Sequence, residues 1–181
     1  MKETGIVRRI DDLGRIVIPK EMRKTLRLRV GDPLEISTDG GLLFLKKYSP
    51  LKSLKTYGTD VCECLYQLTQ KAVILTDTEQ IIAVKGQSDR QVGMDLSSDI
   101  DRVILERKSL HVDQKQGVGL RKIVENDNLD FTSQLIVPLV ANGDALGSII
   151  LLNFDEEKEI TAEDVKLTRF CEEFISRQFE Q

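Results

Sequence analysis

The first 47 residues hold four short strand-forming segments and one two-turn helix, and a unit of that make-up is too small to close an apolar core comfortably by itself. Gly5 to Ile10 reads as a strand, and Asp11-Asp12-Leu13-Gly14 as a turn. Arg15 to Ile18 reads as the returning strand, rich in β-branched residues. Pro19 suits a first helical position and ends the ladder, and residues 20–26 give about two helical turns with Met22 and Leu26 on one face. After the turn Gly31-Asp32-Pro33, residues 34–38 and 42–47 form a hairpin around Asp39-Gly40-Gly41. Sheets this small leave pairing edges open, and interleaving with a second copy closes them. The size and pattern of this segment therefore predict a homodimer.

Charge sharpens the picture. Residues 1–55 carry 13 Lys and Arg against 7 Asp and Glu, whereas residues 56–181 carry 13 against 23, so the overall net charge of −4 averages two unlike parts. Arg8, Arg9, Arg15, Arg23, Lys24, Arg27 and Arg29 crowd into 22 residues. Arg8 and Arg9 fall on opposite faces of a strand, Arg15 opens the second strand beside Gly14, and Arg23 and Lys24 lie away from Met22 and Leu26. Doubling by a two-fold axis makes a field suited to phosphates, and arginine forks also match guanine edges. Charge alone names no particular polyanion, so DNA, RNA and an acidic protein all stay open at this point.

Ser49-Pro50 reads as the cap and first residue of a helix. Leu51, Leu54, Gly58, Val61, Leu65 and Leu68 then recur at spacings of three and four, the stripe of a helix packing on another helix or, alternatively, the packed face of an ordinary helix. Residues 71–152 read as an α/β domain. Segments 72–76 and 81–84 form a hairpin, 97–108 a helix, and 109–133 a polar stretch without clear pattern. Segments 134–140 and 145–152 are apolar strands joined at Asn142-Gly143. Thr161 with Asp164 marks a capped helix start, and Leu167, Phe170, Cys171, Phe174, Ile175 and Phe179 form its wide apolar face. Helices at both ends of the domain thus each offer a stripe, and a bundle joining subunits would bury them.

Enzyme chemistry finds little support. Gly117-Val118-Gly119 lacks the rest of a phosphate loop, and His111 is the single histidine, without a nucleophile beside it. Cys62 and Cys64 are two apart on a helix and Cys171 is distant in sequence, which suits small hydrophobes better than a zinc set or a redox motif. Asp95, Asp99 and Asp101 read as a charged helix start. No metal or cofactor is expected. No stretch approaches the roughly 20 apolar residues of a membrane span, and Met1 to Gly5 carries no targeting core, so a cytoplasmic location is expected.

The run Thr4-Gly5-Ile6-Val7-Arg8-Arg9-Ile10-Asp11-Asp12-Leu13-Gly14-Arg15-Ile16-Val17-Ile18-Pro19, continued by Lys20 to Leu26, closely resembles the AbrB-type swapped-hairpin DNA-binding domain. The match extends through Gly31 to Ile36 and Leu45 to Tyr48. The resemblance implies an interleaved dimer that contacts double-stranded DNA through Arg8, Arg15 and Arg23, supported by Arg9 and Lys24. Members of this family that add a GAF-like domain with flanking helices form tetramers, and they activate some forespore genes late in sporulation while repressing others. The expected fold is α+β: a small interleaved β domain over 1–50, a linker and oligomerisation helix over 51–70, and a GAF-like α/β domain over 71–181. A GAF-like domain implies either a pocket for a small molecule of unknown identity, which 109–133 would cover, or a module given over to oligomerisation and partner docking. Related swapped-hairpin proteins serve as antitoxins, and a sensor whose basic end binds another protein is a third reading.

Overall fold

The computed structural model of the chain describes residues 5–48, 55–87, 91–116, 119–126 and 129–180, with the side chains of 55, 56 and 116 left aside. It divides into two units, Met1–Tyr48 and Ser49–Gln181.

In the first unit, helix α1 spans Lys20–Thr25 and strands β1 (Leu34–Asp39) and β2 (Leu42–Lys47) form an antiparallel hairpin. Gly40 and Gly41, at φ 54° and 84°, make its two-residue turn, the left-handed pair that matches strand twist. Pro19 stands just before α1 as its N-cap rather than inside its first turn, its carbonyl accepting from the Arg23 amide at 2.9 Å. The sequence-predicted strands at 5–10 and 15–18 are not strands in the single chain. Their arms meet at the turn, where the Asp11 amide donates to the Arg15 carbonyl at 3.1 Å, and they form no further ladder with each other. The physical reason lies in burial. No described residue of this unit is buried, and Val7 and Val30 stand 91% and 96% exposed. The described residues of this unit supply no second layer, so its β-branched arms stay largely exposed.

The second unit is complete. Helix α2 spans Lys55–Thr69, and five antiparallel strands follow: β3 (Ala72–Asp77), β4 (Ile81–Lys85), β5 (Leu110–Asp113), β6 (Ser133–Ala141) and β7 (Asp144–Asn153). Helix α3 (Ser98–Glu106) lies between β4 and β5 in sequence, and α4 (Ala162–Arg177) closes the unit. The sheet order is β4-β3-β7-β6-β5. Alternation assigns each face its core. Val73, Leu75, Leu135, Val137, Ile149 and Leu151 pack beneath α2 and α4, with Cys62, Leu65 and Ile175. Ile74, Ile136, Ile150 and Leu152 pack beneath α3, with Ile100, Ile104, Ile123 and Phe131.

Local signals set the ends of these elements. Asn142 and Gly143, at φ 51° and 83°, turn β6 into β7. Thr161 and Asp164 complete a reciprocal capping box at the start of α4. Ser97 caps α3, its hydroxyl accepting from the Ile100 amide at 3.3 Å. The stretch 109–133, unpatterned in sequence, contributes β5 and then a cover for the α3 face. Ile123 is fully buried there, and the Gln134 side chain accepts from the Arg121 amide at 2.6 Å and donates to its carbonyl at 3.0 Å. Ser97 donates its hydroxyl to the Lys122 carbonyl. The predicted cap at Ser49-Pro50 lies outside the described residues.

Candidate nucleic-acid interface

The basic residues of the first unit are displayed on a locally ordered frame. Asp11 organises it. Its Oδ1 accepts the Leu13 amide at 3.0 Å and the Arg15 amide at 2.8 Å, and its backbone carbonyl accepts the Gly14 amide at 2.9 Å. Gly14 takes φ 74°, a conformation that favours glycine. The remaining carboxylate oxygen, Oδ2, accepts the Nε–H of Arg15 at 2.7 Å. These amide and guanidinium donors of Arg15, with the Leu13 amide, hold the Asp11 carboxyl below the usual aspartate range. Arg8 and Arg9 are exposed on the preceding arm, and Arg15 keeps 71% of its side chain in solvent. Arg23 and Lys24 occupy the last turn of α1, where positive charge complements the carbonyl end of a helix. The chemistry on offer is a set of exposed forks and ammonium groups suited to phosphate oxygens and guanine edges.

Apolar side chains share this surface. Ile10, Leu13 and Val17 are exposed, as are Met22, Leu26, Ile36, Leu42, Leu43 and Phe44. So large an apolar surface on a basic unit marks a site of association. Sequence reasoning found the arginines but passed over Asp11 as a functional residue. Its signal was an aspartate four residues before an arginine across a glycine turn.

The residues expected to join subunits through helices divide into two groups. Gly58 is buried with its Cα hydrogens against the Leu75 side chain, so the close approach it permits is of α2 to β3, not of helix to helix. Leu65 and Ile175 lie in the chain's own core, with Val61, Leu167 and Cys171 packed half-buried against it. Gly58, Leu65 and Ile175 thus pack within the single chain, and a stripe of spacing three and four fits a sheet face as well as a helix. Leu68, Phe170 and Phe174 remain exposed, as does Tyr57, which the sequence pattern did not single out. Leu51 and Leu54 lie outside the described residues.

Burial, and secondarily the charge of Cys171, pushes the Cys62 thiol up to about 12, and burial also raises that of Cys171. Both behave as small hydrophobes. Cys64 is exposed. His111 lies exposed on β5, opposite Leu135 of β6, and Asp99 and Asp101 sit in the first turn of α3. Among the described residues no group of His, Cys, Asp and Glu is arranged to hold a metal ion, and no helix is long and apolar enough to cross a membrane. On the α3 side of the sheet a small pocket of about 170 Å³ is lined by Leu120, Arg121, Lys122, Leu129 and Phe131. A larger open cleft of about 500 Å³ lies at the end of α2, lined by Tyr66, Gln70, Lys71, Asn153, Phe154 and Glu156 among others.

Comparison with known proteins matches both units. Residues 53–180 fit the family described as stage V sporulation protein T C-terminal, transcription factor, and residues 7–53 fit the MazE family of antidote-toxin recognition proteins. Stage V sporulation protein T of Bacillus subtilis (strain 168) is 38% identical over 183 residues, covering all of both chains. The transition state regulatory protein AbrB of the same organism is 42% identical over 85 residues, 46% of this chain and 88% of that protein. In fold, the second unit resembles the GAF domain of an Acinetobacter phosphoenolpyruvate-protein phosphotransferase. That match has a TM-score of 0.57 at 11% identity, covering 68% of this chain and 80% of that one. A free methionine-R-sulfoxide reductase from Thermoplasma acidophilum gives a TM-score of 0.55 at 16% identity, over 70% and 93%.

An AbrB-type basic unit carried with a GAF-type unit defines a two-domain, DNA-binding and self-associating transcription regulator, not an enzyme. The chain belongs to the stage V sporulation protein T family, and its function is transcription regulation in sporulation.

Proposed function

We propose that the chain regulates late, forespore-expressed sporulation genes, activating some and repressing others. It grips double-stranded DNA through Arg8, Arg9, Arg15, Arg23 and Lys24 of an interleaved dimer. The observation that carries this reading is the first unit itself: exposed arginines stand on a frame in which no described apolar side chain is buried. A second copy covers those side chains and repeats the arginines across a two-fold axis. Functionally the chain divides into a DNA-binding domain over 1–50, an oligomerisation helix over 51–70 and a regulatory domain over 71–181. Tyr57, Leu68, Phe170 and Phe174 support a further association that turns two dimers into a tetramer. The GAF-type fold supports modulation by a small molecule.

The MazE match over residues 7–53 favours an antitoxin as the second reading. The full-length likeness to a sporulation regulator weighs against it, as does a folded second unit where an antitoxin has a toxin-wrapping tail.

Gel-shift titration of the intact protein against duplexes selected from a random pool tests the proposal. Arg15→Ala should weaken binding by roughly 10- to 100-fold, the size of one lost guanine or phosphate fork. Wild-type affinity should fall steeply with salt as several phosphates release counterions together. Arg15→Ala binding equal to wild type would remove Arg15 from the interface.

A further inference from the structure

Resting on the DNA-binding reading, we propose that Asp11 is a positioning residue for DNA recognition, aiming the guanidinium of Arg15 by holding its Nε. The geometry is specific. One carboxylate oxygen builds the turn by accepting the Leu13 and Arg15 amides at 3.0 and 2.8 Å. The other takes the Nε–H of Arg15 at 2.7 Å. Nε is the inner donor of the fork, so the outer Nη groups stay directed away from the turn and available to a ligand. The side chains are 71% and 43% exposed, and an ion pair that open to solvent adds little to folding. Its effect falls instead on Arg15, whose free side chain would otherwise sample many rotamers and lose them on binding DNA. Aspartate's short side chain ties Arg15 to the same turn that fixes the Arg15 backbone, so the fork leaves a defined point in a defined direction.

This role makes a prediction opposite in sign to simple electrostatics. Asp11→Asn keeps an oxygen to accept the turn amides but removes the charge that holds Arg15. It also removes a negative charge from a DNA-facing surface, which by itself tightens binding to a polyanion. Asp12→Asn makes the same charge change one residue away, where no bond to Arg15 is lost.

The test is a titration of full-length protein against a duplex selected by the wild type and against an unrelated duplex, at one salt concentration. Asp11→Asn should bind the selected duplex about tenfold more weakly, the scale of coupling between residues in direct contact. On the unrelated duplex it should bind at least as tightly as wild type. Asp12→Asn should match or slightly exceed wild type on both. In an Arg15→Ala background, Asp11→Asn should cause no further loss.

Asp11→Asn that matches Asp12→Asn on both duplexes overturns the inference while leaving DNA binding intact. So does a loss that persists without Arg15. A wild-type protein that retains no duplex from the pool overturns the DNA-binding reading and the inference with it. A measurement on the wild-type fold guards against a variant that misfolds: the Arg15 Nε–H resonance, assigned by its disappearance in Arg15→Lys, should be protected from exchange in the free protein. Solvent-like exchange there also overturns the proposal.

Discussion

Between Gly5 and Tyr48 no side chain is buried, whereas the second unit buries Leu65, Ile74, Ile100, Leu135 and Ile150 to 1% exposure or less. Apolar residues are not scarce in the first unit. Ile6, Val7, Ile10, Ile16, Val17 and Ile18 follow one another closely. What differs is layering. The five-stranded sheet has α2 and α4 on one face and α3 on the other, so the apolar side chains of its core meet those of another element. The first unit has a two-stranded hairpin, two unpaired arms and a six-residue helix, and supplies only one layer. In the proposed interleaved dimer the second layer comes from another copy, which would make folding, association and DNA display one event in the first unit and separable events in the second.

The largest expected effect tests the self-sufficiency of the second unit. Asp164 sits at the start of α4, with 8% of its side chain exposed, and bonds the equally buried Lys71 ammonium at 3.0 Å. Its carboxylate also accepts the Thr161 amide at 2.7 Å. Asp164→Ala leaves the buried Lys71 ammonium without its carboxylate partner and removes the Asp164 half of the capping box, and should cost about 3 kcal/mol. Urea unfolding of the full chain should show that loss in the second unit's transition, with DNA binding at low denaturant retained. A loss below about 1 kcal/mol would place the pair in the class of solvent-screened surface bridges.

The next effect tests the dependence of the first unit on its partner. A fragment ending at residue 52 should melt at a temperature that falls on dilution. For an obligate dimer, a hundredfold dilution removes about 2.7 kcal/mol of apparent stability. A fragment of the second unit, diluted across the same range below its association limit, should hold its midpoint. A concentration-independent melt of the 1–52 fragment would mean that a single chain closes its own core, and the comparison drawn above would fail.

Particular residues show what sequence makes legible. Asn142-Gly143 and the Thr161–Asp164 box announced a turn and a helix start because each acts through its own backbone within four residues. β5 was hidden because Leu110-His111-Val112-Asp113 offers two apolar residues on a short edge strand, too few to establish a period. The arms at 5–10 and 15–18 have the composition of strands, but pairing requires a neighbour that one chain lacks. At Gly58, Leu65 and Ile175 the stripe meets the chain's own sheet, because periodicity says which residues share a face and is silent on what covers that face. For the DNA-facing site, arginines are visible as charge, while Asp11 is visible only as geometry.

The smallest effect concerns the face that the sheet leaves over. Phe170 is 70% exposed on α4, with Phe174 and, on α2, Tyr57 and Leu68 also exposed. In an isolated unit, Phe170→Ser removes a solvent-facing ring and should alter unfolding stability by no more than about 0.5 kcal/mol. In a bundle between subunits the same ring is buried, and its loss should weaken association by roughly 2 kcal/mol per ring, or about thirtyfold. Sedimentation of full-length protein separates the cases. Wild type should run as a tetramer, and Phe170→Ser should shift toward a dimer held by the first unit alone. The dimer should persist because the proposed interleaved contacts lie in the first unit, which the substitution does not touch. A variant that stays tetrameric at the lowest measurable concentration would show that this face is simply solvated, leaving the first unit as the place where copies meet.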